Sequence, residues 1–235
     1  LVSIKYRIIL EKGQTWGNIL SLTVGNGFLY MGTTTGLYAV EMIYTNDNND
    51  DNNPDPNETW KFYLIQQIPS FPYVTSLLWV DSWSTLFVGT DTIFYDIYIP
   101  PITKNNNNNI FDQKSFNEYV SSWSIYHEWI GGNIDNPVVS MHYDDIIDCI
   151  WVAEKNSVHQ RDSNKIWWRY GYKQGAITDN IISIASTYLP SLIDENSFVG
   201  YLWIATKNYG LTRMKIKSKN ENTLIFKKKY NDYND

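Results

Sequence analysis

A strand-turn-strand unit occurs four times along this chain, and no other feature limits so sharply what the chain can fold into. Its first half is a short apolar run centred on serine: Ile19-Leu20-Ser21-Leu22, Val74-Thr75-Ser76-Leu77, Val138-Val139-Ser140-Met141 and Ile181-Ile182-Ser183-Ile184. Its second half closes on a small residue and one polar neighbour: Leu29-Tyr30-Met31-Gly32-Thr33, Leu86-Phe87-Val88-Gly89-Thr90, Ile150-Trp151-Val152-Ala153-Glu154 and Leu202-Trp203-Ile204-Ala205-Thr206. Asn26, Asp81 and Asp145 each stand five residues beyond the serine, where Asn and Asp favour a turn.

Two more strands complete the unit. A tight turn leads into Thr35-Gly36-Leu37-Tyr38-Ala39-Val40 and Tyr209-Gly210-Leu211-Thr212-Arg213-Met214, where glycine permits a positive φ. An aromatic strand then closes each unit: Trp60 to Ile65, Trp123 to Tyr126, Trp167 to Tyr170, and Leu224 to Phe226. The small residues come about 50 to 65 positions apart, a spacing that falls toward the roughly 40 to 50 of a propeller blade once polar inserts are removed.

These features predict an all-β chain, a β-propeller of four-stranded antiparallel blades, four of them here, over residues 14–72, 73–135, 136–178 and 179–230. Small or branched residues suit a crowded innermost strand, Gly or Ala on the second strand lets the next blade approach, and Trp, Tyr and Phe fill the wider outer gap. The aromatic share of 16% fits that division. Residues 1–12 contain one more outer strand, Lys5 to Leu10, which either closes a ring or is left from a preceding blade. A part of a larger propeller is favoured over a closed four-bladed ring, because an end at Asn231 to Asp235 without a closing strand leaves open edges. Residues 44–58 and 102–115 are dense in Asn and Asp and predict loops, and Leu189 to Phe198 predicts an insertion.

The repeats resemble those of the two-component regulator propeller family, the sensor propellers ahead of many bacterial hybrid histidine kinases. Leu202-Trp203-Ile204-Ala205-Thr206 with Gly210-Leu211, and Tyr170 through Gly175 to Asn180-Ile181-Ile182-Ser183, carry the resemblance. Thr92-Ile93 and Ser157-Val158 stand where that pattern has Gly-Leu. The resemblance implies a non-catalytic sensor or scaffold within a larger protein, on the extracytoplasmic side. A propeller hydrolase or lyase, sialidase-like or otherwise glycan-active, with a site at the channel mouth is the alternative; a module that helps larger segments dimerise is a third reading.

Composition narrows the partners. A formal charge of −6 argues against nucleic acid, and the lysines from Lys215 to Lys229 are interrupted by Asn, Glu and apolar residues. Cys149 stands alone, so neither an internal disulfide nor a thiolate metal site is available, and no cofactor is expected. The uncharged run Phe62 to Val80 carries Gln66, Gln67, Pro69 and Pro72, which argues against membrane insertion. The sequon Asn57-Glu58-Thr59 is expected in a loop.

No catalytic residues are proposed. His142 to Cys149 gathers His, carboxylates and Cys, yet Asp145 occupies the repeat turn. His127 and His159 have no carboxylate at a matching repeat position, and Gln160 to Trp167 reads as an Asp-box-like turn. In a propeller, the loops into each first strand and the turns between second and third strands emerge on one face. That face would carry Trp16, Asn18, Phe71, Tyr73, Asp91, Asn136, Lys155, Asn180, Lys207 and Asn208, and aromatics beside amides suit a protein, small-molecule or glycan ligand.

Overall fold

The computed structural model describes residues 17–45, 57–65, 73–102, 113–128, 137–170, 180–190, 198–216 and 225–230. These residues form four antiparallel sheets, each of four strands consecutive in the chain. The first holds β1 (Ile19–Gly25), β2 (Phe28–Thr33), β3 (Gly36–Thr45) and β4 (Asn57–Leu64). The second holds β5 (Val74–Val80), β6 (Thr85–Thr90), β7 (Phe94–Tyr98) and β8 (Ser124–Glu128). The third holds β9 (Val138–Asp144), β10 (Cys149–Glu154), β11 (Ser157–Asp162) and β12 (Trp167–Tyr170). The fourth holds β13 (Ile181–Pro190), β14 (Phe198–Thr206), β15 (Gly210–Ile216) and β16 (Ile225–Tyr230).

The sequence repeat reappears as a repeat of register. Ser21 faces Gly32, Ser76 faces Gly89, Ser140 faces Ala153 and Ser183 faces Ala205. In all four sheets the pairing shifts just before the serine, so Leu20, Thr75, Val139 and Ile182 are bulged out of the ladder. A bulge turns the strand sharply and re-aims the side chains on either side of it. The turn after β1 is the two-residue hairpin Asn26-Gly27, with φ of 48° and 82°, the positive values that match the twist of the flanking strands.

First strands meet first strands. β1 packs on β5, β5 on β9 and β9 on β13, and no packing of comparable extent joins β13 to β1 among the described residues. Each step is also tied by a side chain to backbone. Trp79 N donates to Thr23 Oγ1 at 3.1 Å, Thr75 Oγ1 donates to Val138 O at 2.6 Å, and Ile184 N donates to Ser140 Oγ at 3.3 Å. The small residue opposite each serine makes the approach possible: a Cβ on Gly32 would lie 2.5 Å from Val74 Cγ1, and one on Gly89 would lie 2.6 Å from Val138 Cβ.

The apolar core is divided among the sheet interfaces. Tyr30, Leu37 and Tyr63 of the first sheet pack with Leu86, Val88 and Tyr95 of the second. Phe87 and Phe94 meet Val138, Ile150 and Val152 between the second and third, and Trp151 and Ala153 meet Ile184 and Leu202 between the third and fourth.

Several expectations need correction. Residues 44–58 are not all loop, since β3 runs to Thr45 and β4 begins at Asn57, so the sequon starts a strand in which Asn57 pairs with Thr45. Gln113 to Ser115 open a helix, α1 (Gln113–Ser121). Its Phe116 and Val120 are buried, with Phe116 stacked on Tyr63 at 4.1 Å between centroids, so tertiary burial stabilises a short helix that composition does not announce. Leu189 and Pro190 prolong β13, and Phe198 begins β14, so the fourth sheet extends its first hairpin into the expected insertion. The segment Lys5 to Leu10 lies outside the described residues.

Candidate functional site

The turns between second and third strands are built on one plan. Thr33 Oγ1 accepts from Thr35 N and donates to Gly36 O, Thr90 Oγ1 accepts from Ile93 N and donates to Ile93 O, and Thr206 Oγ1 accepts from Tyr209 N and donates to Gly210 O. The third sheet replaces threonine with Glu154, whose Oε2 accepts a 2.8 Å hydrogen bond from Ser157 Oγ across the turn. Each hydroxyl or carboxylate satisfies backbone or side-chain donors beneath an exposed tip.

Those tips are tied to the segments leading into first strands. Thr34 N donates to Asn18 O at 3.0 Å while Asn18 N donates to Thr34 Oγ1 at 3.0 Å. Lys207 N donates to Asn180 O at 2.9 Å, and Ile181 N donates to Lys155 O at 2.9 Å, from the third sheet's turn to the fourth sheet's first strand. The structure therefore gathers Lys155, Asn180, Lys207 and Asn208 at one corner and Asn18 with Thr34 at another. Asn180 adopts φ 52°, a left-handed turn conformation that Asn tolerates. Lys155, Lys207 and Asn208 are exposed, and Tyr73, at the start of the second sheet, is 48% exposed. Asp91 sits in the second sheet's turn with Oδ1 out of solvent and without a hydrogen-bond partner among the described residues. Trp16, Phe71 and Asn136 lie outside the described residues.

Tyr209 belongs to this end and was not singled out from the sequence. It is 41% exposed between Asn208 and Gly210, in a turn that puts five residues between the paired Ala205 and Leu211 where the other three sheets have four. The longer turn is visible as the extra residue between Thr206 and Gly210, which was the available signal.

Titratable groups elsewhere are buried and held by neighbours. Arg161 crosses from the third sheet to Asp96 of the second, Nη2 to Oδ2 at 2.5 Å, both side chains almost fully buried. The guanidinium lies over the rings of Trp83, Phe87 and Trp167, at 5.6, 5.2 and 5.9 Å. Asp144 accepts from Tyr188 Oη at 2.8 and 2.7 Å and from Trp151 Nε1 at 3.4 Å. Burial, reinforced by Asp144, raises the Tyr188 phenol, and burial likewise raises the free thiol of Cys149. Burial also lowers His142 against the opposing pull of Asp144 and Asp145, and its Nε2 is 2.8 Å from Ser186 Oγ. Thus His142, Asp144 and Cys149 are parts of a sheet interface, while Asp145 is exposed in the turn. Asp162 Oδ1 accepts from Asn164 N and Ile166 N, so Gln160 to Trp167 contains a structural turn.

His159 is a buried histidine with a carboxylate neighbour that position within the repeat does not reveal. Its Nε2 lies 2.9 Å from Ser157 Oγ and 3.5 Å from Glu154 Oε2. In a nucleophilic triad, histidine bridges hydroxyl and carboxylate through opposite ring nitrogens. Here Nε2 faces both, the hydroxyl hydrogen-bonds the carboxylate directly, and all three residues are at most 1% exposed. The group ties β10 to β11 within the third sheet and is closed to solvent. Among the described residues no three His, Cys, Asp or Glu converge as a metal site, and no helix is long and apolar enough to cross a membrane.

No protein-family model and no curated protein sequence matches the chain. Among solved structures, the computationally designed Ika4 protein is similar at TM-score 0.49 and 9% identity, over 91% of this chain and 100% of that one. The extracellular domain of a putative hybrid two-component system from B. thetaiotaomicron is similar at TM-score 0.43 and 14% identity, over 88% of this chain but only 28% of that one. A 2S albumin seed protein from Dolichos is similar at TM-score 0.38 and 13% identity, over 90% and 92% of the two chains.

Proposed function

We propose that the chain is a non-catalytic β-propeller that binds a ligand or protein partner at the end carrying the turns between second and third strands. One observation carries the reading: those turns are hydrogen-bonded to the segments entering the first strands, at Thr34 with Asn18, at Lys207 with Asn180, and at Lys155 with Ile181. Exposed Lys, Asn and Tyr side chains thereby stand on backbone that is fixed before any ligand arrives, which lowers the ordering cost of binding. Four consecutive sheets whose first strands adjoin in succession support the propeller part. The resemblance of Leu202 to Thr206 and Gly210-Leu211 to sensor propellers supports a sensing or scaffolding role within a larger protein, on the extracytoplasmic side.

The test is a panel of glycans and peptides presented to the immobilised chain. Binding to at least one class is expected. It should weaken about tenfold or more in Lys155→Glu/Lys207→Glu and in Tyr209→Ala, a loss of at least about 1.4 kcal/mol. Tyr98→Ala, at the far end of β7, and Ile146→Ser, in the turn between β9 and β10, are exposed away from these turns and should leave it unchanged. Turnover of a glycan, or binding indifferent to the turn variants, sinks the reading.

A further inference from the structure

Three sheet interfaces follow one rule, and among the described residues the fourth position of that rule has no sheet packed on it from either side. Val74, Val138 and Ile181 open their first strands at one register, opposite Thr90, Glu154 and Thr206. They are 0%, 0% and 4% exposed. Val74 and Val138 sit against Gly32 and Gly89 of the preceding sheet, and Ile181 shares a core cluster with Ala153. The equivalent residue of the first sheet is Ile19, opposite Thr33, and it is 48% exposed.

The equivalent small residue of the fourth sheet is Ala205, paired with Leu211, which is 44% exposed. Trp203 lies on the same face, its partner Arg213 stacked 4.4 Å from the centre of the Tyr201 ring. This is the face that, in the other three sheets, receives the next first strand. β1 continues the exposed apolar strip of Ile19 through Leu22 and Val24, at 54% and 71%. One chain thus presents a branched side chain at one end of its stack and a small-residue seat at the other.

We infer that a second copy of this chain covers these faces, with Ile19 of each copy seated on Ala205 of the other, so that two four-sheet stacks close into a ring of eight sheets. The occupant is set by continuity with the three internal interfaces: the seat accepts a bulged first strand opening on Val or Ile, and β1 is such a strand, its Ile19, Leu22 and Val24 exposed with no sheet packed on them among the described residues. About a two-fold axis, Ile19 of each copy meets Ala205 of the other, so the two contacts are equivalent and the assembly closes at two copies. The inference uses sheet register, packing and exposure, and stands whether or not the turn end binds a ligand.

Sedimentation and light scattering of the full chain across a concentration series test it. The expected mass at high concentration is twice the 27.4 kDa of one chain. Ile19→Asp and Ala205→Arg should each weaken dimerisation about tenfold or more with an unchanged far-ultraviolet dichroism spectrum, since both sites are at least partly exposed. An equimolar mixture of the two variants should dimerise again, because it restores one intact pair of Ile19 and Ala205. A monomer at every concentration, a mass that grows without limit, or a dimer indifferent to both variants overturns the inference.

Discussion

Arg161 shows how one side chain can link two sheets at high risk. Its charge is removed from water and matched by Asp96, with Lys165 Nζ 3.6 Å from the same carboxylate oxygen. Deleting one partner leaves an uncompensated buried charge, whereas replacing both with apolar residues of similar volume can be neutral. Arg161→Met should therefore lower unfolding free energy by about 3–5 kcal/mol in urea, and Asp96→Leu/Arg161→Met should recover most of it. A single variant as stable as the parent would show that the pair contributes nothing. Tyrosines give the pH counterpart. Burial pushes Tyr119 and Tyr170 up to about 12 from 10.0, with the hydrogen bond from Asn26 Nδ2 partly offsetting the rise at Tyr119. A phenol whose folded value is raised contributes stability that is complete below pH 10 and lost as pH climbs toward 12. The melting temperature should fall over that window, and Tyr119→Phe/Tyr170→Phe should flatten the fall.

At the scale of strands, the spacing of apolar runs marked every first and second strand, because a half-buried ladder demands alternation over only a few residues. The third strands of the second and third sheets were harder to recognise, since Thr92-Ile93 and Ser157-Val158 replace the glycine turn. α1 was not legible: Gln113 to Ser121 gains its stability from Phe116 and Val120 seated in a core built by residues far away in sequence. The contribution of the small residue is testable directly. Gly89→Val places carbon where Val138 already stands, and the overpacking should cost about 1–3 kcal/mol in a denaturant titration. An unchanged midpoint would mean that the two sheets move apart at no cost.

For the molecule as a whole, stability is distributed along a line of sheets. A stack in which each unit touches only its neighbours gains stability from its own strands and from each interface it makes. The second and third sheets make two such interfaces each, and the first and fourth make one among the described residues. In dilute solution, amides of β6 and β10 should exchange with solvent more slowly than those of β2 and β14. Equal protection across all four would contradict serial packing.

The candidate binding end was legible only in outline. Repeat arithmetic placed Asn18, Lys155, Asn180 and Lys207 at equivalent turns, because position within a repeat follows from counting. It could not pair Lys155 with Ile181 across two sheets, nor find Tyr209 in its longer turn, since both depend on how neighbouring sheets sit.

By itself the sequence determined the first and second strands, their grouping in fours and the recurrence of serine ahead of a small residue, all of which are local and periodic. Tertiary structure alone decided which charges are buried, that Glu154 would lie 3.5 Å from His159, and that Ile19 would be 48% exposed while its equivalents are buried. Burial is a property of what arrives from elsewhere in the chain, and no local pattern contains it.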